Sequence, residues 1–302
     1  MLHAYHKVLV LLCLSLTTLA TASIRAAHPL FENNTSLSQE DDQCITISYQ
    51  DVPYGSHPQQ VYDIYFPTVV GDAPAKVLIL VHGGSWVSGD KSRIRNLVNR
   101  IRNKYPEYAI VNTNYRLATE TQYAFPDQFN DIGLLIEHLT SISDSYEITP
   151  EFGLIGKSAG GHLSLMYDAL YDESNQVKFV CNLAGPTNFN DPAFVEHPMY
   201  EEVYNLLVDP AYYHPDTALE ILSPIYHIGY YNSPTLIFHG NKDRIVPVSN
   251  AEDYSEKLKR NAIDTKLTLF AGTHLRDWTP QDWLNVENKI GDYLLNFLPL
   301  VD

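Results

Sequence analysis

FGLIGKSAGGHL, residues 152–163, sets one serine, Ser158, between glycines where an apolar run meets a helix-like segment. Residues 152–155 read as a buried strand and 160–171 as a helix, so Ser158 falls on the turn between them. A strand-to-helix turn of the G-x-S-x-G type holds the serine oxygen up into a cleft, as a nucleophile elbow does. That pattern by itself has many chance matches. Its meaning depends on whether the chain also supplies a base, an acid to orient the base, and donors for a developing oxyanion.

Three further stretches supply them in order. HGGSW (82–86) precedes the elbow, while HGNKD (239–243) and GTH (272–274) follow it. A neutral hydroxyl attacks a carbonyl carbon only when a base takes its proton as the bond forms. This makes Ser158 the candidate nucleophile and His274 the candidate base. Asp243 follows the preceding strand, in position to fix the tautomer of His274 and stabilise its imidazolium. The glycines of HGGSW let the backbone aim amides at an oxyanion, and Gly84, Ser85 and Ala159 are the expected donors.

Other residues compete for these roles. Asp277 is close to His274 in sequence and Asp253 lies on the helix after Asp243. Asp243 is preferred because it alone occupies the loop directly after a strand in an HGxxD context. His82 and His239, at strand ends, are expected to brace loops by hydrogen bonds, and His162 to pack at the start of its helix. Lys157 reads as a solvated side chain at the elbow, with attraction of an anionic substrate as its other reading.

Apolar runs alternate with helix-period segments along the chain. Strands are predicted at 45–52 and 60–66 (a pair around Pro53, Gly55 and Pro58), 77–81, 108–115, 152–155, 177–183, 235–238 and 266–270. Helices are predicted at 91–104, 128–143, 160–171, 250–261 and 281–297. The alternation implies an α/β fold with a mostly parallel sheet covered on both faces. Each motif then falls at the carboxyl end of a strand, where open α/β sheets place their ligand sites.

The chain has 302 residues, 45% hydrophobic, enough for one large core. Its formal net charge of -16 argues against nucleic-acid backbones and anionic membrane surfaces as partners. Lys7, the apolar stretch 8–19 and Ala20-Thr21-Ala22 form a signal-peptide pattern, too short to span a bilayer comfortably. The expectation is a signal peptide over 1–22, cleaved after Ala22, and a secreted or periplasmic catalytic domain over 23–302 without stable membrane insertion. Ala26 and Ala27 leave a later cleavage site open, and Cys13 lacks the preceding small residues of a lipoprotein anchor. Cleavage leaves Cys44 and Cys181; Cys181, in an apolar run, is expected to be a buried thiol, and sequence leaves open whether the two pair. Asn33 and Asn34 both head N-x-S/T patterns.

Taken with NYRLA (114–118), FPDQFND (125–131), SPI (223–225), HGNKDRIVP (239–247) and AGTH (271–274), the VHGGSW and GKSAGGHL motifs give the chain a resemblance to α/β-hydrolases of the esterase and lipase superfamily. It is similar to the branch of hormone-sensitive-lipase-like esterases, bacterial feruloyl-esterase-like proteins and arylformamidases. The resemblance implies an α/β-hydrolase fold, serine carboxylesterase activity through an acyl-enzyme, and Gly84 and Ser85 at the oxyanion-hole positions. HGGSW lacks the third glycine of HGGG and agrees instead with the HGGxW of arylformamidases and several feruloyl-esterase-like proteins. Amide hydrolysis of the arylformamidase kind is therefore the second reading. A catalytically silent binding protein is the third, and the intact Ser, Asp and His weigh against it. The expected partner is a small-molecule ester, with no cofactor and no metal. Residues 185–231 are expected to fold as a small lid, their tyrosines (Tyr200, Tyr204, Tyr212, Tyr213, Tyr226, Tyr230, Tyr231) either lining the cleft or packing the insertion to its own scaffold.

Overall fold

The apolar runs become strands with both faces covered, which is why they carry little alternation. β4 (Ala75–Val81), β5 (Ala109–Thr113) and β8 (Thr235–Gly240) are buried at every residue, as are β7 (Val177–Leu183) at all but Lys178 and β6 (Ile148–Lys157) over 152–156. The computed structural model describes residues 35–40, 44–69, 71, 73–196 and 200–300. Within them β1 (Thr35–Glu40), β2 (Cys44–Pro53), β3 (Val61–Tyr65) and β9 (Thr265–Phe270) complete a nine-stranded sheet of order β1-β2-β3-β5-β4-β6-β7-β8-β9. The pairs β1–β2, β2–β3 and β3–β5 are antiparallel, and all those from β5 to β9 are parallel. The candidate signal peptide lies outside the described residues.

Successive strand residues point to opposite faces, so Leu78 and Leu80 serve one helical layer while Val77, Ile79 and Val81 serve the other. Leu78 and Leu80 join a core cluster with Leu97, Val98 and Ile101 of α1 (Arg95–Lys104) and Val286, Ile290 and Leu294 of α9 (Pro280–Phe297). The opposite layer contains α2 (Asp127–Ser141), α4 (Ala159–Leu170) and α8 (Val248–Arg260); α4 packs on β6, β7 and α2. The predicted helix over 91–104 begins as a 3-10 turn, Lys91–Ile94, because Asp90 accepts a hydrogen bond from the Ser92 amide and caps it there. A one-turn α3 (Ser143–Tyr146) follows α2. Between β7 and β8 the chain forms α5 (Pro192–Val195), α6 (Tyr200–Leu207), α7 (Pro215–Ile221) and a 3-10 turn, Pro224–His227, so the segment 185–231 is a helical insertion.

Candidate active site

The elbow is built by two buried elements that force a strained residue between them. Ser158 has φ 52° and ψ -120°, a sparsely populated conformation that costs on the order of 1–3 kcal/mol. It is over-determined: Ser158 N donates to Leu183 O (2.8 Å), and Ser158 O accepts from the amides of Gly161 (2.8 Å) and His162 (3.2 Å). A Cβ on Gly160 would lie 2.3 Å from Val81 O, so only glycine lets α4 start this close to the end of β4.

Three loops at the carboxyl ends of β6, β8 and β9 meet at this point. His274 Nε2 is 2.9 Å from Ser158 Oγ, and His274 Nδ1 is 2.6 Å from Asp243 Oδ2. The Asp243 side chain is fully buried, and its Oδ1 accepts from the Ile245 (2.8 Å) and Val246 (3.0 Å) amides. Burial alone would raise this carboxyl, but the bonds from His274 and the two amides outweigh it and hold it below the ordinary carboxylate value. An ionised Asp243 makes Nδ1 the donor and turns the Nε2 lone pair toward Ser158. Asp277 faces elsewhere, accepting from Thr273 N (2.6 Å) and Thr273 Oγ1 (2.8 Å), and Asp253 is exposed on α8. His239 is 3.4 Å from Asp243 Oδ2 but bonds Val246 O at 2.9 Å through the same Nε2, and burial lowers its pKa.

The HGGSW loop is held in left-handed conformations, with φ 139° at Gly84, 53° at Ser85 and 63° at Trp86. Gly84 O accepts from Val87 N (3.2 Å) and Ser88 N (2.9 Å), and Trp86 O from Ala118 N (3.0 Å) and Gln128 Nε2 (2.8 Å). Trp86 Nε1 donates to His162 Nδ1 (3.3 Å), and His162 Nε2 bonds Leu222 O (2.8 Å). The His162 ring is therefore the neutral Nε2–H tautomer; burial pushes its pKa down to about 4 despite the opposing pull of the Leu222 bond. The loop touches the elbow, since a Cβ on Gly83 would sit 3.0 Å from Ser158 Cβ. Among the described residues the Gly84 and Ser85 amides make no hydrogen bond, and Ala159, opening α4, has no intrahelical acceptor. His82 stacks on Tyr115 at 4.3 Å and bonds Gly83 O, a loop brace.

His162 packs at the start of α4 as expected, and its bond to Trp86 and that of Gln128 are the contacts that residue-type reasoning missed. Their signal was present in FPDQFND and GKSAGGHL. In the same layer Arg116 of NYRLA forks onto the buried Asp131, with Nε and Nη2 at 2.9 and 2.6 Å from Oδ1. Asp131 also accepts from Gln60 Nε2 (2.7 Å), tying the residue before β3 to α2.

A cavity of about 630 Å³ opens over Ser158. The insertion contributes half its lining, Phe189, Phe194 and Leu219 among them, facing Trp86 and Phe125. Of the named tyrosines whose side chains are described, Tyr204 alone lines the cavity. Tyr212, Tyr226, Tyr230 and Tyr231 are exposed, and Tyr213 is buried. The aromatic wall is made chiefly by phenylalanine and by Trp86, whose indole N–H is taken up by His162. Lys157 is half-buried rather than freely solvated. Cys181 is a buried free thiol; the side chain of Cys44 lies outside the described residues. Among the described residues no cluster of His, Cys, Asp and Glu is placed to hold a metal ion, and no helix is long and apolar enough to cross a membrane.

Comparison with known proteins agrees with this fold. The chain is 27% identical over 222 residues to esterase LipC of Mycobacterium tuberculosis, an alignment covering 69% of this chain and 54% of LipC. The chain thus spans about half the length of the curated relatives it matches. Among solved structures it is similar to inhibited esterase B from Lactobacillus rhamnosis (TM-score 0.69, 18% identity, 85% of this chain and 88% of that one). It is also similar to esterase 2 from Thermogutta terrifontis phosphonylated by sarin (TM-score 0.65, 17% identity, 87% and 99%). The BD-FAE family model matches residues 62–258, which include the HGGSW loop, the elbow and Asp243. The chain belongs to the BD-FAE family and has the α/β-hydrolase fold.

Proposed function

We propose that the chain is a carboxylic-ester hydrolase that works through an acyl-enzyme on Ser158. The observation that carries this reading is the continuous hydrogen-bonded line from Ser158 Oγ through His274 to the buried Asp243. Ser158 Oγ attacks the ester carbonyl carbon while its proton passes to His274 Nε2. The carbonyl oxygen becomes an oxyanion, received by the amides of Gly84, Ser85 and Ala159. As the tetrahedral intermediate collapses, His274 returns the proton to the departing alcohol oxygen. Water then attacks the acyl-enzyme with His274 again as base, releasing the acid and restoring Ser158. The strained elbow and the left-handed HGGSW loop support the reading, because both fix donors and nucleophile before substrate arrives.

The test is hydrolysis of a soluble ester such as 4-nitrophenyl butyrate. Turnover is expected, and its loss in Ser158→Ala with an unchanged circular dichroism spectrum. Equal turnover in that variant would overturn the reading. We further propose that the protein is exported and loses residues 1–22, a reading supported by the sequence pattern alone. Amino-terminal sequencing of the protein expressed in a secreting host should begin at Ser23; retention of Met1 would contradict it.

A further inference from the structure

Each of the three loops that meet at Ser158 carries a cation beside its key residue. Lys157 precedes Ser158, Arg244 follows Asp243, and Arg276 lies two residues after His274. Among the described residues none of these three side chains makes a hydrogen bond or an ion pair. Several other cations of the chain do have acidic partners. Lys76 pairs with Glu151, Lys91 with Asp51 and Asp63, Arg100 with Glu287, and Arg116 with Asp127 and Asp131. Nor are acids missing from these loops. Asp243 is already engaged by His274 and two amides, and Asp277 accepts both the amide and the hydroxyl of Thr273. The three cations are thus left without a direct acceptor, in a chain whose net charge is -16.

The placement is also specific. Arg244 lines the same cavity as Ser158, whose wall is otherwise mostly apolar. Lys157 is half-buried, and burial together with the nearby Arg276 lowers its pKa, so the two cations repel one another across the elbow. An anion beside Arg244 would satisfy a donor in the cavity wall that has no protein acceptor. A guanidinium fork matches the two oxygens of a carboxylate, whereas the rest of the cavity favours an apolar body.

Resting on the ester-hydrolase reading above, we propose that the substrate is an ester with an apolar body that also bears a carboxylate, held at the mouth of the cleft by Arg244 with Lys157 and Arg276. These are specificity residues, and they act on binding and orientation of the substrate rather than on the reacting atoms.

Matched ester pairs test this: phenyl butyrate against the butyryl ester of 3-hydroxybenzoate, with the carboxylate on the alcohol, and phenyl hexanoate against monophenyl adipate, with it on the acid. The ratio of kcat/KM, anionic over neutral, is expected to exceed one in at least one pair. It should fall about tenfold or more in Arg244→Gln and in the double variant Lys157→Gln/Arg276→Gln, the effect expected of a lost charge-assisted hydrogen bond. Arg244→Lys should retain part of the ratio, and added salt should lower it in the unmodified protein. Hydrolysis of the neutral esters with ratios unchanged in both variants would overturn this inference alone. A folded protein that turned over none of the four esters would remove the ester-hydrolase reading and this inference with it.

Discussion

The choice between Asp243 and Asp277 rests on burial and direction. Asp243 is enclosed and bonded to the His274 ring, whereas Asp277 is exposed and caps Thr273. Asp243→Asn should lower kcat on the order of 10⁴-fold by disfavouring the tautomer that leaves Nε2 free, and Asp277→Asn should do far less. Steady-state kinetics on one soluble ester ranks them, and the reverse order would assign the acid role to Asp277. The meeting of Ser158, His274 and Asp243 was legible in the sequence because a candidate nucleophile, base and acid each sit in a short motif after a strand. The bonds of Gln128 and His162 to Trp86 were not, since they run across 42 and 76 residues of chain. Gln128→Ala should leave the Trp86 carbonyl with the Ala118 amide as its one remaining donor and reduce kcat, while leaving thermal stability within about 0.5–1.5 kcal/mol of the parent, the net worth of one hydrogen bond. A fall in stability without any change in kcat would make Gln128 merely structural.

At the scale of the element, α4 carries a buried histidine and a buried aspartate with opposite demands. His162 binds its proton more weakly folded, at about 4, than unfolded, at about 6.5. The stability it contributes is complete above about pH 6.5 and is lost as pH falls toward 4. Asp168, held by the Ser233 amide and raised to about 7 chiefly by burial, binds its proton more tightly folded than unfolded. Its contribution is complete below about pH 3.9 and is lost as pH rises through 7. Between about pH 4 and 6.5 the two slopes oppose each other. Asp168→Asn should therefore raise stability at pH 8 by on the order of 2–4 kcal/mol and steepen the loss below pH 6.5. Denaturant unfolding at pH 5 and pH 8 measures both, and a variant less stable at pH 8 would contradict it. The Arg116–Asp131 pair makes a second, simpler case. Asp131→Ala leaves Arg116 with Asp127 as its one carboxylate and Gln60 Nε2 without its acceptor, and should cost about 1–3 kcal/mol, read from denaturant unfolding. The periodicity that located α2 and α9 in the sequence has no counterpart in α4, where ten successive residues are buried; there the glycines and the preceding strand gave the helix away.

For the molecule as a whole, the parallel core could be anticipated from apolar runs alternating with helices, and the placement of every motif at a strand end followed from it. Strand order could not, because β5 inserts between β3 and β4 through contacts that no local pattern records. The strand over 35–40, TSLSQE, is polar and lacked the apolar signal that found the others. The insertion over 185–231 was recognisable by its length, but which of its side chains face the cavity depends on helix orientation. Leu219 does, so Leu219→Trp should narrow the cavity and lower the ratio of kcat/KM for hexanoate over acetate esters about tenfold or more, the scale on which a hydrophobic pocket discriminates chain length. An unchanged ratio would place the acyl group elsewhere. The most direct measurement is intact-mass analysis and peptide mapping of the protein after treatment with a fluorophosphonate. One adduct per chain is expected, located on Ser158 and absent from Ser158→Ala; an adduct on another serine, or none on a folded sample, would contradict the Ser158 acyl-enzyme.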